Sequence, residues 1–353
     1  MILPRKICLW LPSVIYGSVT ALRNRLYDLG ILKSRTFPLP VICVGNITIG
    51  GTGKTPHVIY ITQLLSDMMQ VAVLSRGYLR KSRGFRPVRA DDRIDTVGDE
   101  PLMMARRMSY ARVFVDRDRV HGITEIMHAS PAAGAIILDD GFQHRSVRAG
   151  MNIVLTSYDR LMTRDRLLPL GRLRENLSGM KRADVIIVTK VPPGTTPEEL
   201  KRVKETMKIT GRQSIFFTRL TYGKPVPLFV RAGRTITRKT HVVLVTGIAD
   251  PAPMIKYLSG IAAGVTHISF PDHHRFKGKD LEGISSKFDA IDNEDKIVVT
   301  TEKDAVRLKE ITNIADSLRE ALYSLPVSVE FIEDEDEFIR KVYGYTGKDK
   351  RDG

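Results

Sequence analysis

The chain has 353 residues, 42% hydrophobic and 27% charged, and 55 Lys and Arg against 40 Asp and Glu give a formal net charge of +15. That length supports a sizeable core, most naturally in two domains, and the charge points to an anionic partner: nucleic acid, an anionic membrane surface or a phosphorylated substrate. The two cysteines, Cys8 and Cys43, both lie in apolar runs, which excludes a disulfide scaffold and a Cys/His zinc site and fits a reducing compartment.

The N-terminus carries ICLWLPSVIYGSVTAL (7–22), flanked by Arg5, Lys6, Arg23 and Arg25. A membrane span needs roughly 20 apolar residues. Pro12 and Gly17 sit inside the run and no small-residue cleavage site follows, so it reads poorly as a signal peptide. A docked core helix and an interfacial membrane helix with snorkelling basic ends both fit, and the charge favours the second.

Short Val- and Ile-rich runs then alternate with helix-like stretches, the pattern of a parallel sheet with crossover helices. Strands are expected at 40–46, 71–75, 112–115, 135–139, 151–156, 184–189 and 214–218. TYGKPVPLFVRAGRTITRKT (221–240), rich in Gly, Pro and cations, reads as a linker. A second set of strands is expected near 241–246, 265–270, 296–301 and 327–332. Polar motifs follow many strands, and open α/β sheets bind ligands beyond the carboxyl ends of their strands.

The first strand runs into GNITIGGTGKTP (45–56). Gly50, Gly51, Thr52, Gly53, Lys54 and Thr55 form the end of a Walker A loop. Its glycines let backbone N–H groups approach phosphate, Lys54 would reach the β- and γ-phosphates, and Thr55 would hold Mg²⁺. Thr48 replaces the first Walker glycine. AIILDDGFQH (135–144) delivers Asp139 and Asp140 from a buried strand, as a Walker B carboxylate is delivered to the cation. The guanine signature Asn/Thr-Lys-x-Asp is absent: Thr189-Lys190 is followed by Pro192 where Asp should stand. ATP is therefore the expected nucleotide. TVGDEP (96–101) offers Asp99 and Glu100 before a helix, which is also an ordinary helix start. PLGRLREN (169–176) offers Arg172, Arg174 and Glu175, or a solvated charged turn, and FPDHH (270–274) offers Asp272, His273 and His274 on a loop.

Taken together, GNITIGGTGKTP, SRGYLR, VGDEP, LDDGFQH, LPLGRLRE, FPDHH and TEKDAVRL resemble, in order, the motifs of the tetraacyldisaccharide 4′-kinases, from the N-terminal helix to about residue 310. That family's loop begins GNxxxGGxGKTP, which accommodates Thr48. The resemblance implies an α/β fold, a P-loop domain with a mostly parallel sheet plus a smaller α/β domain on an extended linker. It implies a membrane-associating helix over 1–28, a kinase domain over 29–220, a linker over 221–240 and an α/β domain over 241–353. It implies ATP- and Mg²⁺-dependent phosphorylation of the 4′-hydroxyl of an acylated glucosamine disaccharide 1-phosphate. The enzyme would be monotopic, on the cytoplasmic face of the inner membrane of a Gram-negative bacterium. By motif, Asp99 would be the base assisted by His273, with Lys54 and Arg174 on the phosphates. Thr55, Asp139 and Glu175 would hold Mg²⁺, and Tyr78, Arg119, Asp140 and His144 would lie on the substrate side. A regulatory P-loop switch would need a guanine motif or partner-responsive hydrolysis. Nucleic-acid binding lacks stacking platforms, since aromatics are only 7%, and no obligate protein partner is evident.

Overall fold

The computed structural model describes residues 3–229 and 233–347, with the side chains of 3–8 excepted. Parts of three expected segments (1–2 of the N-terminal helix, 230–232 within the linker and 348–353 of the last domain) lie outside the described residues, as do the side chains of Arg5, Lys6 and Cys8.

The strands are β1 Val41–Gly45, β2 Gln70–Ser75, β3 Arg86–Val88, β4 Arg112–Val115, β5 Ala133–Asp139, β6 Met151–Ser157, β7 Val185–Thr189 and β8 Ser214–Tyr222. They continue with β9 Val226–Pro227, β10 His241–Thr246, β11 Gly264–Ser269, β12 Lys296–Thr301, β13 Leu322–Leu325 and β14 Val327–Phe331. Two sheets result. The larger has nine strands in the order β14-β8-β7-β6-β1-β5-β2-β4-β3, and the smaller has five in the order β11-β10-β12-β13-β9. Seven strands of the larger sheet are parallel, and only its edges β3 and β14 run antiparallel. The central strands are buried on both faces, as crossover helices require.

The strand near 327–332 forms, but not in the second set. β14 pairs with β8 on the larger sheet, and the helix Glu335–Thr346 follows it there. Phe338 packs on Phe216, Phe331 and Tyr60, and the Tyr343 hydroxyl donates to the Leu64 carbonyl at 3.2 Å. Burying one such ring is worth roughly 1.5–3 kcal/mol, so the C-terminal segment is an integral part of the larger sheet's core. The chain therefore passes between the sheets twice, at 222–226 and 325–327, and the passages are bonded through Gly223 N–H to the Pro326 carbonyl at 3.0 Å. The start of the expected linker is instead the end of β8, and Val226–Pro227 adds to the smaller sheet against β13.

The helix Leu3–Asp28 forms as its apolar run suggests, but its polarity is reversed. Ser13, Gly17 and Thr20 face inward and are buried. Trp10, Leu11, Val14, Ile15, Val19 and Leu22 form an outward stripe at helical spacing, most of them about 60% exposed. The inner face holds the segment 167–175: Ser13 Oγ donates to the Leu167 carbonyl at 3.0 Å, and Tyr16 Oη to the Arg174 carbonyl at 2.8 Å. Among the described residues no helix is long and apolar enough to cross a membrane.

Candidate active site

β1 ends at Gly45, and the loop turns into the helix Lys54–Ser66 through Gly53, whose φ of +80° is left-handed and suits glycine. Thr48, standing where Walker A has glycine, is buried in an antiparallel bridge to Leu173. Ile49 N–H donates to the Arg172 carbonyl (2.8 Å) and Arg174 N–H to the Ile47 carbonyl (2.7 Å). The loop thus has a second wall, and a Cβ at position 48 fits that pairing. His57, fully buried, touches the Gly53 carbonyl (2.8 Å) and Thr218 Oγ1 (3.0 Å); burial pushes its imidazole down to about 4, so it is a neutral brace at pH 7.

Asn46 organises the loop, and sequence reasoning missed it; its signal was the Gly-Asn step before the glycines. It is fully buried, donates to Thr52 Oγ1 at 2.8 Å and accepts from Lys54 Nζ at 3.2 Å. Its Oδ1 also accepts from Arg174. Arg174 holds Asp140 by two bonds, 2.7 and 3.2 Å, and Lys54 lies 3.7 Å from the same carboxylate. Burial pushes Asp140 up, but Lys54 and Arg174 outweigh it and hold the carboxyl well below its usual range. The structure therefore brings Lys54, Arg174 and Asp140 together around Asn46, although the sequence placed Asp140 apart, on the substrate side.

Asp139 is the opposite case. Ser75 Oγ donates to its Oδ2 at 2.9 Å, while its buried Oδ1 has no hydrogen-bond partner among the described residues. Burial, then Glu100 and Asp140, push its carboxyl up to about 6. An unpartnered buried carboxylate oxygen beside a phosphate loop suits a cation held mainly by nucleotide oxygens. Among the described residues no cluster of three or more His, Cys, Asp or Glu is arranged as a metal cage. Glu175 in particular is fully buried, with Oε2 taken by Asn24 (2.8 Å) and by Arg182, and Oε1 by Gln143 (2.9 Å). Gln143 also donates to the Asn46 carbonyl at 2.9 Å. Glu175 thus ties the N-terminal helix to the loop, with both carboxylate oxygens engaged by Asn24, Arg182 and Gln143. Thr55 lies half-buried in the first turn of its helix.

The second centre joins both sheets. Gly98, at φ +93°, starts the helix Asp99–Arg107, and a Cβ there would sit 3.0 Å from the Tyr78 carbonyl. Asp99 Oδ2 meets His273 Nδ1 at 3.0 Å, although β11 of the smaller sheet precedes His273 and β3 and β4 of the larger flank the Asp99 segment. Burial pushes Asp99 up, but the His273 hydrogen bond, Lys303 and Arg307 together hold it well below the usual carboxylate range. The half-exposed Tyr78 ring lies 5.1 Å from the His273 ring. Arg119 is 1% exposed, donating to the Asp139 carbonyl at 3.0 Å and to the Asp116 carbonyl. It holds a strand end and does not face an open cleft. Burial, then Arg119 and Arg76, push His144 down to about 4, leaving it neutral at pH 7. His144 lies on the rim of a cavity of about 690 Å³ that extends under the loop 30–34.

A phosphate loop with its lysine, a Walker B aspartate, and a carboxylate–imidazole pair delivered from a second sheet define a P-loop phosphotransferase. The model of the family tetraacyldisaccharide-1-P 4′-kinase matches residues 5–345. A tetraacyldisaccharide 4′-kinase of Phocaeicola vulgatus is 45% identical, covering 98% of this chain and 97% of its own length. That of Flavobacterium johnsoniae is 39% identical over 94% and 95%. A crystal structure of LpxK from Aquifex aeolicus in complex with ATP superposes with a TM-score of 0.75 at 30% identity, covering 97% of this chain and 99% of that one. The chain belongs to the tetraacyldisaccharide 4′-kinase family, and it is a transferase of the kinase class.

Proposed function

We propose that this chain transfers the γ-phosphoryl group of ATP to the 4′-hydroxyl of a tetraacylated glucosamine disaccharide 1-phosphate, a step of lipid A biosynthesis. The observation that carries the reading is the Asp99–His273 pair at 3.0 Å, held between the two sheets. Glu100, next to Asp99, lies close enough to Asp139 to raise its carboxyl. Asp99 accepts the hydroxyl proton as the sugar oxygen bonds to phosphorus and the bond to the β-phosphate oxygen breaks. Lys54 and Arg174, drawn off Asp140 by the nucleotide, stabilise the charge on the phosphates. Thr55 and the open oxygen of Asp139 would hold Mg²⁺, which neutralises phosphate charge when bound. Tyr78 and His144 line the approach of the sugar, and Arg119 supports it from behind.

The outward apolar stripe of the N-terminal helix supports a monotopic enzyme lying on an anionic membrane surface. Such a placement suits an acceptor that cannot leave the bilayer cheaply, since burial is worth ~0.8 kcal/mol per CH₂. In a Gram-negative cell the ATP requirement assigns the cytoplasmic face of the inner membrane. The test is transfer of γ-labelled phosphate from ATP to purified disaccharide-1-phosphate lipid with and without Mg²⁺, with nucleic acid as a control acceptor. Label in the lipid at the 4′ position is expected; ATP turnover unaffected by the lipid would refute the assignment.

A further inference from the structure

The helix Glu302–Leu308, of the smaller sheet, packs against the helix that begins at Asp99. Two of its cations reach the dyad, and neither has a part in the mechanism above. Arg307 is 6% exposed. Its Nε donates to Asp99 Oδ2 at 3.1 Å and its Nη2 donates to the same oxygen. Behind, its Nη1 is fixed by Asp304 Oδ1 (2.7 Å) and the Gly247 carbonyl (3.1 Å). Asp304 is itself held by Gly247 N–H (2.9 Å) and Thr301 Oγ1 (2.7 Å). The guanidinium is thus locked before any substrate arrives. Lys303 Nζ lies 3.0 Å from Glu100 Oε1 and 3.2 Å from His273 Nε2.

An ammonium can only donate, so His273 Nε2 accepts from Lys303; at Nδ1 the contact to Asp99 Oδ2 at 3.0 Å, which needs a ring proton, is shorter than that to Arg307 Nη2 at 3.3 Å, which would need a lone pair, and places the proton there. Oδ2 is saturated by His273 and Arg307. Oδ1 accepts, among the described residues, only the Glu100 backbone N–H at 2.9 Å. We propose that Arg307 and Lys303 are positioning residues for the phosphoryl transfer. Arg307 keeps Asp99 ionised with Oδ1 turned free for the sugar hydroxyl, and Lys303 fixes His273 as the neutral Nδ1–H tautomer. This rests on Asp99 being the hydroxyl's acceptor.

The groups facing Asp99 are His273 and Asp272 from the loop after β11, Lys303, Asp304 and Arg307 from the opposing helix, and Glu100 on its own helix. Tyr78 lies beyond His273. A carboxylate so held is a weak base. It orients the hydroxyl by hydrogen bonding and takes the proton only as the oxygen–phosphorus bond forms, which a loose transition state permits.

The experiment is kcat at saturating ATP and lipid acceptor, with the titration of the ¹³C-labelled Asp99 carboxyl, for the wild type, Arg307→Gln and Arg307→Lys, and kcat alone for Asp99→Asn, with a thermal melt of each. Arg307→Gln is expected to lower kcat on the order of tenfold or more while leaving the KM for ATP within about twofold. Its Asp99 titration should move up by at least about one pH unit, because burial is then opposed by fewer cations. Arg307→Lys, which keeps the charge, should recover most of kcat and of the titration's position. A folded Arg307→Gln whose Asp99 titrates where the wild type's does overturns the assignment, whatever its kcat. A second measurement needs no Arg307 variant: the imidazole ¹⁵N spectrum of the wild type, with His273 assigned by its loss in His273→Gln. A ring protonated at Nδ1 and bare at Nε2 is expected, and an Nε2–H tautomer or an imidazolium overturns the proposal even if Arg307→Gln fails to fold. Asp99→Asn with wild-type kcat would overturn both this proposal and the reading beneath it. An inactive Asp99→Asn beside an unmoved Asp99 titration in Arg307→Gln overturns only the former.

Discussion

Replacing Ile15, Val19 and Leu22 together by Gln should release the protein from anionic vesicles without touching its catalytic machinery. These side chains are 56%, 62% and 60% exposed on the outer face of the N-terminal helix. Full burial of such a side chain is worth roughly 1.5–3 kcal/mol, so the exposed portion can still contribute about 1 kcal/mol each on entering lipid. Three positions give about 3 kcal/mol, roughly a hundredfold in the partition coefficient. Sedimentation with vesicles of stated anionic lipid content measures this, alongside kinase activity on bilayer and on detergent-dispersed acceptor. Activity in bilayers should fall with the partitioning, and activity in detergent should stay within about twofold. Deleting residues 1–25 is a poorer test, because it also removes Ser13, Tyr16 and Asn24 from the segment that walls the phosphate loop. A triple variant that pellets like the wild type would refute the reasoning and move membrane attachment to the basic surface.

Lys54→Ala, which removes a charge from the phosphates, should lower kcat on the order of a thousandfold with the melting temperature nearly unchanged; near-normal turnover would sink the ATP site. Asp139→Asn should abolish transfer yet stabilise the metal-free protein. Burial and its carboxylate neighbours push its carboxyl up to about 6 in the folded state, above the ordinary aspartate value of about 4, so the folded state binds the proton more tightly. The resulting penalty is absent below about 4, grows as pH rises through 6 and is full above it, at most about 3 kcal/mol. The gain in melting temperature should therefore be present at pH 8 and vanish near pH 4, and an equal gain at both would refute it. Gly98→Ala, forced to φ +93° with its Cβ 3.0 Å from the Tyr78 carbonyl, should cost about 1–3 kcal/mol in a denaturant titration. Because Asp99 is the next residue, kcat should fall as well.

What the sequence disclosed followed from local pattern. A Val/Ile strand running into GGTGKT, and another ending in Asp139-Asp140, carry their meaning within ten residues, and the structure sets them side by side through β1 and β5. The contact between Asp99 and His273 was legible only through motif resemblance, because 174 residues separate them. β14 looked like any other strand of the second set. What sends it to the larger sheet is its pairing with β8 and the ring packing of Phe331 and Phe338, neither of which has a local signature. Glu175 reads as a metal carboxylate beside Arg174, and only the fold reveals the Arg182, Asn24 and Gln143 side chains that occupy it. Arg307 sits in a helix whose sequence resembles an ordinary charged surface, and burial at 6% is what separates it from one.

The double passage between the sheets limits how they can move. A single flexible connector would let the smaller sheet tumble, and the local concentration of its side chains at the phosphate loop would be that of a tethered chain. Here the two strands of chain cross side by side, bonded from Gly223 to Pro326, and each continues directly into β8 or β14 of the larger sheet. Such a pair bends readily about one axis and resists twisting or sliding about the others. Any relative motion of the sheets is thereby confined to one arc, along which His273, Lys303 and Arg307 travel as a unit and keep their register with one carboxylate.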